Sequence, residues 1–498
     1  MRQIVRALRN QVKLAPRRLV KVRDRLLARA RRPPVPRCGW LLAEENATGH
    51  GRAGVTLRRY PYPYRCALAI SNDTDWMSAQ AFHEWHAFVN GTKPTVLGQG
   101  LGLEVGDSYW VWSENKYFSL YHSAPYETDL RVSPESERLV ELGRLGWLDV
   151  LHGFGEWKSD WTIDRERIQF ALDRLDALGI KSPVYVSHGG YNMAHNVGGA
   201  WGYYQKGDLP GDRSYCLDLL RASGFRYYWS DVFYELDKYG EHQVFASQAD
   251  LDGAVASHDF QRYFWCNDPE DYTRSRDVFP GVSKADRVAW KKKLFNRVLI
   301  PARARDGQPL YFFKRFRGHD GPNAGNFILQ VNAERLDALE AAQACVVVYQ
   351  HFGAWRAINM GKKHASRRST VSPVFDEHTV WAFRELAERQ QAGRVFVTTT
   401  GRLLNYLWAR EHLDYEVLTK GVDRVLQLHA IDCPTYGRTM LSDDLLQGLS
   451  FRIPRKWGGV RLEVDGMAAP PKVHRQSDPV DPDTDVLFIP WKRLEYPE

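Results

Sequence analysis

The chain has 498 residues, of which 44% are apolar and 26% charged, with 17 Trp, 24 Tyr and 22 Phe. That is an ordinary globular composition with an aromatic surplus, not that of a disordered or fibrous chain. The six cysteines, Cys38, Cys66, Cys216, Cys266, Cys345 and Cys433, have no C-x-x-C spacing, which excludes a disulfide framework and a zinc knuckle.

The net charge of +8 is local in origin. Residues 1–37 hold thirteen Lys or Arg against Asp24 alone, a local +12, so the other residues sum to −4. Within this segment Ile4, Leu8 and Val12, then Leu19, Val22, Leu26 and Leu27, recur at helical spacing, and Pro16 splits the pattern into two short amphipathic helices. Such an end can lie on an anionic membrane surface, where each basic residue adds about 1 kcal/mol; a solvated tail is the plainer alternative. No reading motif accompanies the charge, so nucleic acid is not expected as a partner. The segment lacks an apolar signal-peptide core and no run of 18 apolar residues occurs, so the expected location is cytoplasmic, peripheral at the inner membrane. RRPPVPR, residues 31–37, reads as an extended linker.

From about residue 60 strand-like runs alternate with helical patterns. The expected strands are CALAI (66–70), WLDVL (147–151), PVYVS (183–187), FRYYW (225–229), PLYFFK (309–314), CVVVY (345–349) and RVFVT (394–398). Helical patterns fall at 78–89, 133–144, 165–178, 215–223, 332–342 and 377–391. Runs apolar on both faces and separated by helices call for a parallel sheet covered by helices. GLGLEVGDSYWVW (100–112), beside Glu104 and Asp107, reads as a hairpin or strand pair, or as a platform for a sugar. After about residue 412 the short strands YEVLT, RVLQLHA, LSFRIP, VRLEV and VLFIP indicate a small β-rich C-terminal domain.

In a parallel sheet, chemistry gathers at the C-terminal strand ends. CALAI is followed by Ser71-Asn72-Asp73-Thr74-Asp75 and WLDVL by His152-Gly153-Phe154-Gly155-Glu156. PVYVS is followed by His188-Gly189-Gly190-Tyr191-Asn192, Trp229 by Ser230-Asp231, and CVVVY by Gln350-His351. Taken singly, an Asp-x-Asp after a strand also serves as a turn or helix cap, and a histidine beside glycine serves as a loop residue. Five ionisable strand ends in succession point to one polar site at a common mouth. His195 and His319 stand outside the series.

These motifs, in this order over residues 60–410, resemble the NodB-type polysaccharide deacetylases. The resemblance implies a distorted (β/α)7-type barrel, preceded by the basic segment 1–37 and followed by the β-rich domain 412–498. It implies Asp73 as general base, Asp75 as metal ligand and His152 as the next ligand. Glu156 stands where the family has a second histidine. Trp229 and Asp231 match an aromatic and acid pair that holds the catalytic machinery, and His351 matches the general acid. The family's arginine motif has no clear counterpart; His188 stands near that strand end, and with Asn192 and Trp229 it is expected to meet the substrate.

The implied chemistry is removal of an acetyl group from a sugar or surface polysaccharide precursor, assisted by a divalent ion held by Asp75, His152 and Glu156. A carboxylate in place of an imidazole moves preference from zinc toward harder ions such as manganese or cobalt. Two alternatives stay open. One is a metal-free glycoside hydrolase or lyase using two of Asp73, Asp75, Glu156 and Asp231. The other is a non-catalytic carbohydrate-binding member of the same fold.

Overall fold

The structure, a computed structural model, describes residues 54–75, 77–114, 118–156, 163–188, 193–197, 206–229, 298–304, 306–317, 322–353, 375, 377–421, 423–467 and 472–497. The basic segment 1–37, Asn192, Asp231 and His319 lie outside the described residues; for Glu156 the backbone is described but not the side chain. Residues 49–498 form one compact unit. No helix among the described residues is long and apolar enough to cross a membrane.

The core is mixed α/β with parallel sheets. In chain order its strands are β1 (Cys66–Asn72), β2 (Ser108–Ser113), β3 (Ser119–Tyr121), β4 (Val150–His152), β5 (Gly155–Glu156) and β6 (Val184–Val186). They continue as β7 (Tyr227–Trp229), β8 (Leu299–Arg303), β9 (Pro309–Phe313), β10 (Cys345–Gln350) and β11 (Val395–Val397). The smaller sheet runs β10-β1-β11, all parallel. The larger runs β8-β9-β7-β6-β4-β2-β3, with β5 also on β2, and is parallel except for the β8–β9 pair. All seven residues of β1 and all six of β10 are buried, as expected of strands covered on both faces. Two isolated parallel bridges, Asn72 with Asp107 and Phe316 with Val348, connect the sheets.

Local sequence sets the helix starts. Ala79–Val89, Arg165–Ala177 and Ala333–Ala341 begin after Ser78, Asp164 and Asn332, whose side chains accept the Ala81, Arg167 and Arg335 amides. Each cap satisfies an amide that the first turn leaves without a partner.

Of the readings for 100–112, the strand pair is what forms: Ser108–Ser113 is a wholly buried strand inside the larger sheet, paired in parallel with β3 and β4, its Trp110 and Trp112 at 0% exposure, and not a sugar platform. Large aromatic side chains on both faces fill the space between sheet and helices, which a reading of Trp and Tyr as surface residues overlooks.

After the helix Thr400–His412 come two antiparallel-rich sheets. One joins Leu413–Lys420, Asp423–Cys433, Gly437–Thr439 and Val460–Val464; the other joins Ser450–Pro454, Thr484–Phe488, His474–Ser477 and Thr56–Leu57. The second sheet thus takes a strand from before the core. The chain then returns to the core, where the Trp147 indole donates to the Glu495 carbonyl at 3.1 Å and the Leu494 amide to Glu104 at 3.0 Å.

Asp149, at the base of β4, is buried and accepts the Thr399 hydroxyl at 2.5 Å and the Gly401 amide at 2.6 Å, capping the helix Thr400–His412 from another strand. Burial pushes its carboxyl up from 3.8 to about 7, against the pull of those donors. An acid raised in the folded state contributes stability below its unfolded pKa and loses it as pH rises through the folded one. The melting temperature of the protein is therefore expected to fall from pH 4 to pH 7 relative to an Asp149→Asn variant, measured by calorimetry across that range.

Candidate active site

Register brings the polar strand ends together. In the smaller sheet Gln350 pairs with Asn72, so His351 emerges beside Asp73, and the Asp73 amide donates to the Gln350 carbonyl at 2.9 Å. In the larger sheet His152 pairs with Val186, which places His188 two residues beyond, on the same face of its strand as Val186. The turn after His152 needs glycine: Gly153 has φ +54° and its amide donates to the Val186 carbonyl at 2.7 Å. Gly353 lets the chain beyond His351 lie against Asp75, since a Cβ there would stand 2.6 Å from the Asp75 carbonyl oxygen.

Asp75 is shared between two histidines. Its Oδ1 lies 3.1 Å from His188 Nε2 and its Oδ2 lies 2.9 Å from His351 Nε2. His152 Nδ1 stands 4.0 Å from Asp75 Oδ2, and His152 Nε2 stands 3.7 Å from Asp73 Oδ2. Trp110 backs this group, 5.4 Å from the His188 ring and nearly perpendicular to it, and 5.6 Å from His152.

Asp73 is held differently. Its Oδ1 accepts from Arg315 Nη1 at 2.8 Å, and the same nitrogen donates to Ser71 Oγ at 3.2 Å. The guanidinium is wholly buried between two rings, 3.8 Å from the centre of Trp229 and 3.6 Å from that of Tyr349. Both rings offer their negative π faces to the cation. Asp73 Oδ2 is buried without a protein hydrogen-bond partner, 3.7 Å from His152 Nε2 and 3.9 Å from His351 Nε2.

The electrostatics follow from burial and these neighbours. Burial alone would raise both carboxyls. For Asp73 the attraction of Arg315, then His152 and His351, outweighs it and holds the group below the usual carboxylate range. For Asp75 the charge of His152 and the hydrogen bonds from His188 and His351 hold it well below that range. Burial pushes His152 down to about 4, so its imidazole is neutral at pH 7. With His152 neutral, Arg315 offsets the charge of one of the two ionised carboxylates.

Two sets of three side chains have donor atoms mutually within 4.8 Å: Asp75, His152 and His188, and Asp73, Asp75 and His351. Two ligand atoms on one tetrahedral ion stand about 3.4 Å apart, from bonds of about 2.0–2.2 Å. In the first set Asp75 Oδ1 lies 3.1 Å from His188 Nε2 and Asp75 Oδ2 lies 4.0 Å from His152 Nδ1, and the His152 Nδ1 atom, buried without a partner, is the kind of donor a metal satisfies. The residues of either set are of the kind that could hold a divalent ion.

No protein-family model matches the chain, and no curated protein matches it either. Among solved structures, the 4-alpha-glucanotransferase from Thermococcus litoralis is similar over 68% of this chain and 40% of its own, at 11% identity and a TM-score of 0.31. That likeness is too low to bear on fold or chemistry.

The structure brings together Asp73, Asp75, His152, His188 and His351 of the expected residues. His188, expected to meet a substrate, stands instead on Asp75 beside His152. Trp229 is 2% exposed with its ring against Arg315, so it holds the arginine. Glu156 sits in β5 opposite Ser113. His195 is buried beneath, its ring 5.5 Å from that of Phe154. The residue missed from sequence is Arg315. It lies two positions past β9, and the signal was the Lys314-Arg315 pair ending that strand, passed over by a survey of acids and imidazoles.

Removing one partner of a buried ion pair leaves the other charge uncompensated, at a cost of about 3–5 kcal/mol. Arg315→Met is expected to destabilise the protein by about that amount in chemical denaturation, and the double variant with Asp73→Asn to recover most of the loss.

Proposed function

We propose that the protein is a metal-dependent hydrolase that removes an acetyl group from a sugar or surface polysaccharide precursor, with Asp75, His152 and His188 as the metal ligands. The observation that carries this reading is Asp75, whose one carboxylate meets His188 through Oδ1 and His351 through Oδ2. A histidine from the neighbouring strand thereby takes the place that the resemblance gives to Glu156, which restores a two-imidazole, one-carboxylate set suited to zinc. The two isolated bridges between the sheets support a closed (β/α)7-type barrel as the frame.

When bound, a divalent ion at these ligands polarises a carbonyl oxygen and lowers the pKa of water. The chain's own groups do the rest. Asp73, kept ionised by Arg315, presents the unpartnered Oδ2 to take a proton from the attacking water. Arg315 occupies the other oxygen, so only one carboxylate edge is open to that proton. His351, oriented by Asp75 Oδ2, delivers a proton to the departing amine or alkoxide. Trp110 closes the wall behind His152 and His188 and keeps bulk water from them.

A metal-free glycosidase requires one carboxyl held protonated at working pH. Asp73 and Asp75 are both held ionised, which disfavours that pair as acid and base; pairs with Glu156 or Asp231 involve side chains outside those described. The carbohydrate partner and attachment of residues 1–37 to an anionic inner surface belong to the same reading, supported by the aromatic surplus and the local +12 charge.

Purified protein is expected to bind one zinc per chain by elemental analysis and to release acetate from acetamido or O-acetyl sugars. Asp75→Asn and His188→Ala are expected to weaken zinc at least about 100-fold by competition with a chelator, whereas Glu156→Gln changes it less than about threefold. The reverse ranking would return the ligand role to Glu156, and metal binding without acetate from any such sugar would overturn the substrate class.

A further inference from the structure

The six site side chains divide by sheet. Asp73, Asp75 and His351 follow β1 and β10 of the smaller sheet, while His152, His188 and Arg315 follow β4, β6 and β9 of the larger. Every contact that defines the site across the two groups, including 2.8 Å from Arg315 to Asp73 and 3.1 Å from His188 to Asp75, therefore depends on how the sheets are set against each other. Within a sheet, repeated ladder bonds fix register. Between these sheets, among the described residues, the seams carry one isolated bridge each, Asn72 with Asp107 and Phe316 with Val348.

At each seam a buried amide side chain crosses the gap. Asn72 Oδ1 accepts the Phe352 amide at 2.8 Å, and its Nδ2 donates to Asp107 Oδ1. Asp107 Oδ2 is in turn engaged by His86 of the helix Ala79–Val89, so that both oxygens of the carboxylate are fixed. At the other seam Gln330 Nε2 donates to the Phe316 carbonyl at 3.0 Å and to the Tyr349 carbonyl at 3.1 Å, and its Oε1 accepts from Gln350. Phe316 is the neighbour of Arg315, and Tyr349 lies two residues before His351. A side-chain amide offers both a donor and an acceptor on one rigid plane, which suits it to joining two sheets at one point. Leaving any of these buried groups without its partner is unfavourable, because the desolvation cost is then not offset.

We propose that Asn72 with Asp107, and Gln330, are positioning residues that set the two halves of the active site against each other across the two seams. The Asn72 clamp governs Asp75 against His152 and His188. The Gln330 clamp governs Arg315 against Tyr349 and Asp73. The chemistry served rests on the hydrolase reading, but the juxtaposition is testable in metal-free protein.

The test uses the full chain labelled with nitrogen-15. In metal-free Asn72→Leu the His188 ring nitrogen resonances are expected to move toward free-imidazole positions, with those of Arg315 unchanged; in Gln330→Met the Arg315 guanidinium resonances move and those of His188 stay. Zinc affinity, read by titration with the metal alone, is expected to drop at least about tenfold in Asn72→Leu and less than about twofold in Gln330→Met. If Asn72→Leu does not fold, Asp107→Leu, which removes the acceptor of the Asn72 amide, takes its place, and Gln350→Leu replaces Gln330→Met in the same event, with the same expected pattern. A fall in melting temperature with no resonance moved, or the same resonances moved by both clamps, would overturn the proposal. Wild-type protein that takes up no zinc would refute the metal reading alone, because the ring and guanidinium resonances still report the clamps.

Discussion

Two carboxylates, Asp73 and Asp75, stand buried within two residues of each other at one strand end, and the surroundings are arranged around the cost of keeping both ionised. Taking one such charge from water costs several kcal/mol even after relaxation. Arg315 answers for Asp73, and three histidines answer for Asp75. The guanidinium itself needs shelter, which Trp229 and Tyr349 give on its two faces. Much of the aromatic surplus near the site thus holds a cation in a dry interior.

The compensation is incomplete in a way that bears on chemistry. Asp73 has one oxygen fixed by Arg315 and one without a protein partner, and His152 is kept neutral by burial. A purely structural salt bridge would leave neither atom unsatisfied. Two ionised carboxylates beside a neutral His152 are the electrostatic support for the cation proposed among Asp75, His152 and His188. Because the compensating groups come from two sheets, the geometry of the whole arrangement is inherited from the seams between them.

Much of this was legible in the sequence. All seven expected strands are present, because runs apolar on both faces have few other uses. Ser108–Ser113 stayed open between a strand pair, a hairpin and a platform, since its aromatic content reads equally as surface. Asp73, Asp75, His152, His188 and His351 meet because parallel strands deliver their ends to one rim, and that rule needs no coordinates. What spacing along the chain cannot report is register between strands. His188 reaches Asp75 through the pairing of His152 with Val186, whereas Glu156 is nearer His152 in sequence. Arg315 was hidden for a related reason: its partner is 242 positions away, and the Lys314-Arg315 pair after β9 does not by itself say which charge it meets. Asn72 and Gln330 look like an ordinary strand end and helix end, and only the three-dimensional pairing reveals that each spans a seam.

The central claim is that one divalent ion belongs between Asp75, His152 and His188. The most direct measurement is anomalous diffraction at the zinc edge from crystals of protein loaded with zinc. The account predicts a single peak about 2.0–2.2 Å from the Asp75 carboxylate and from the imidazoles of both histidines. A loaded crystal with no peak there, or with a peak bound by Glu156 and not by His188, would contradict it.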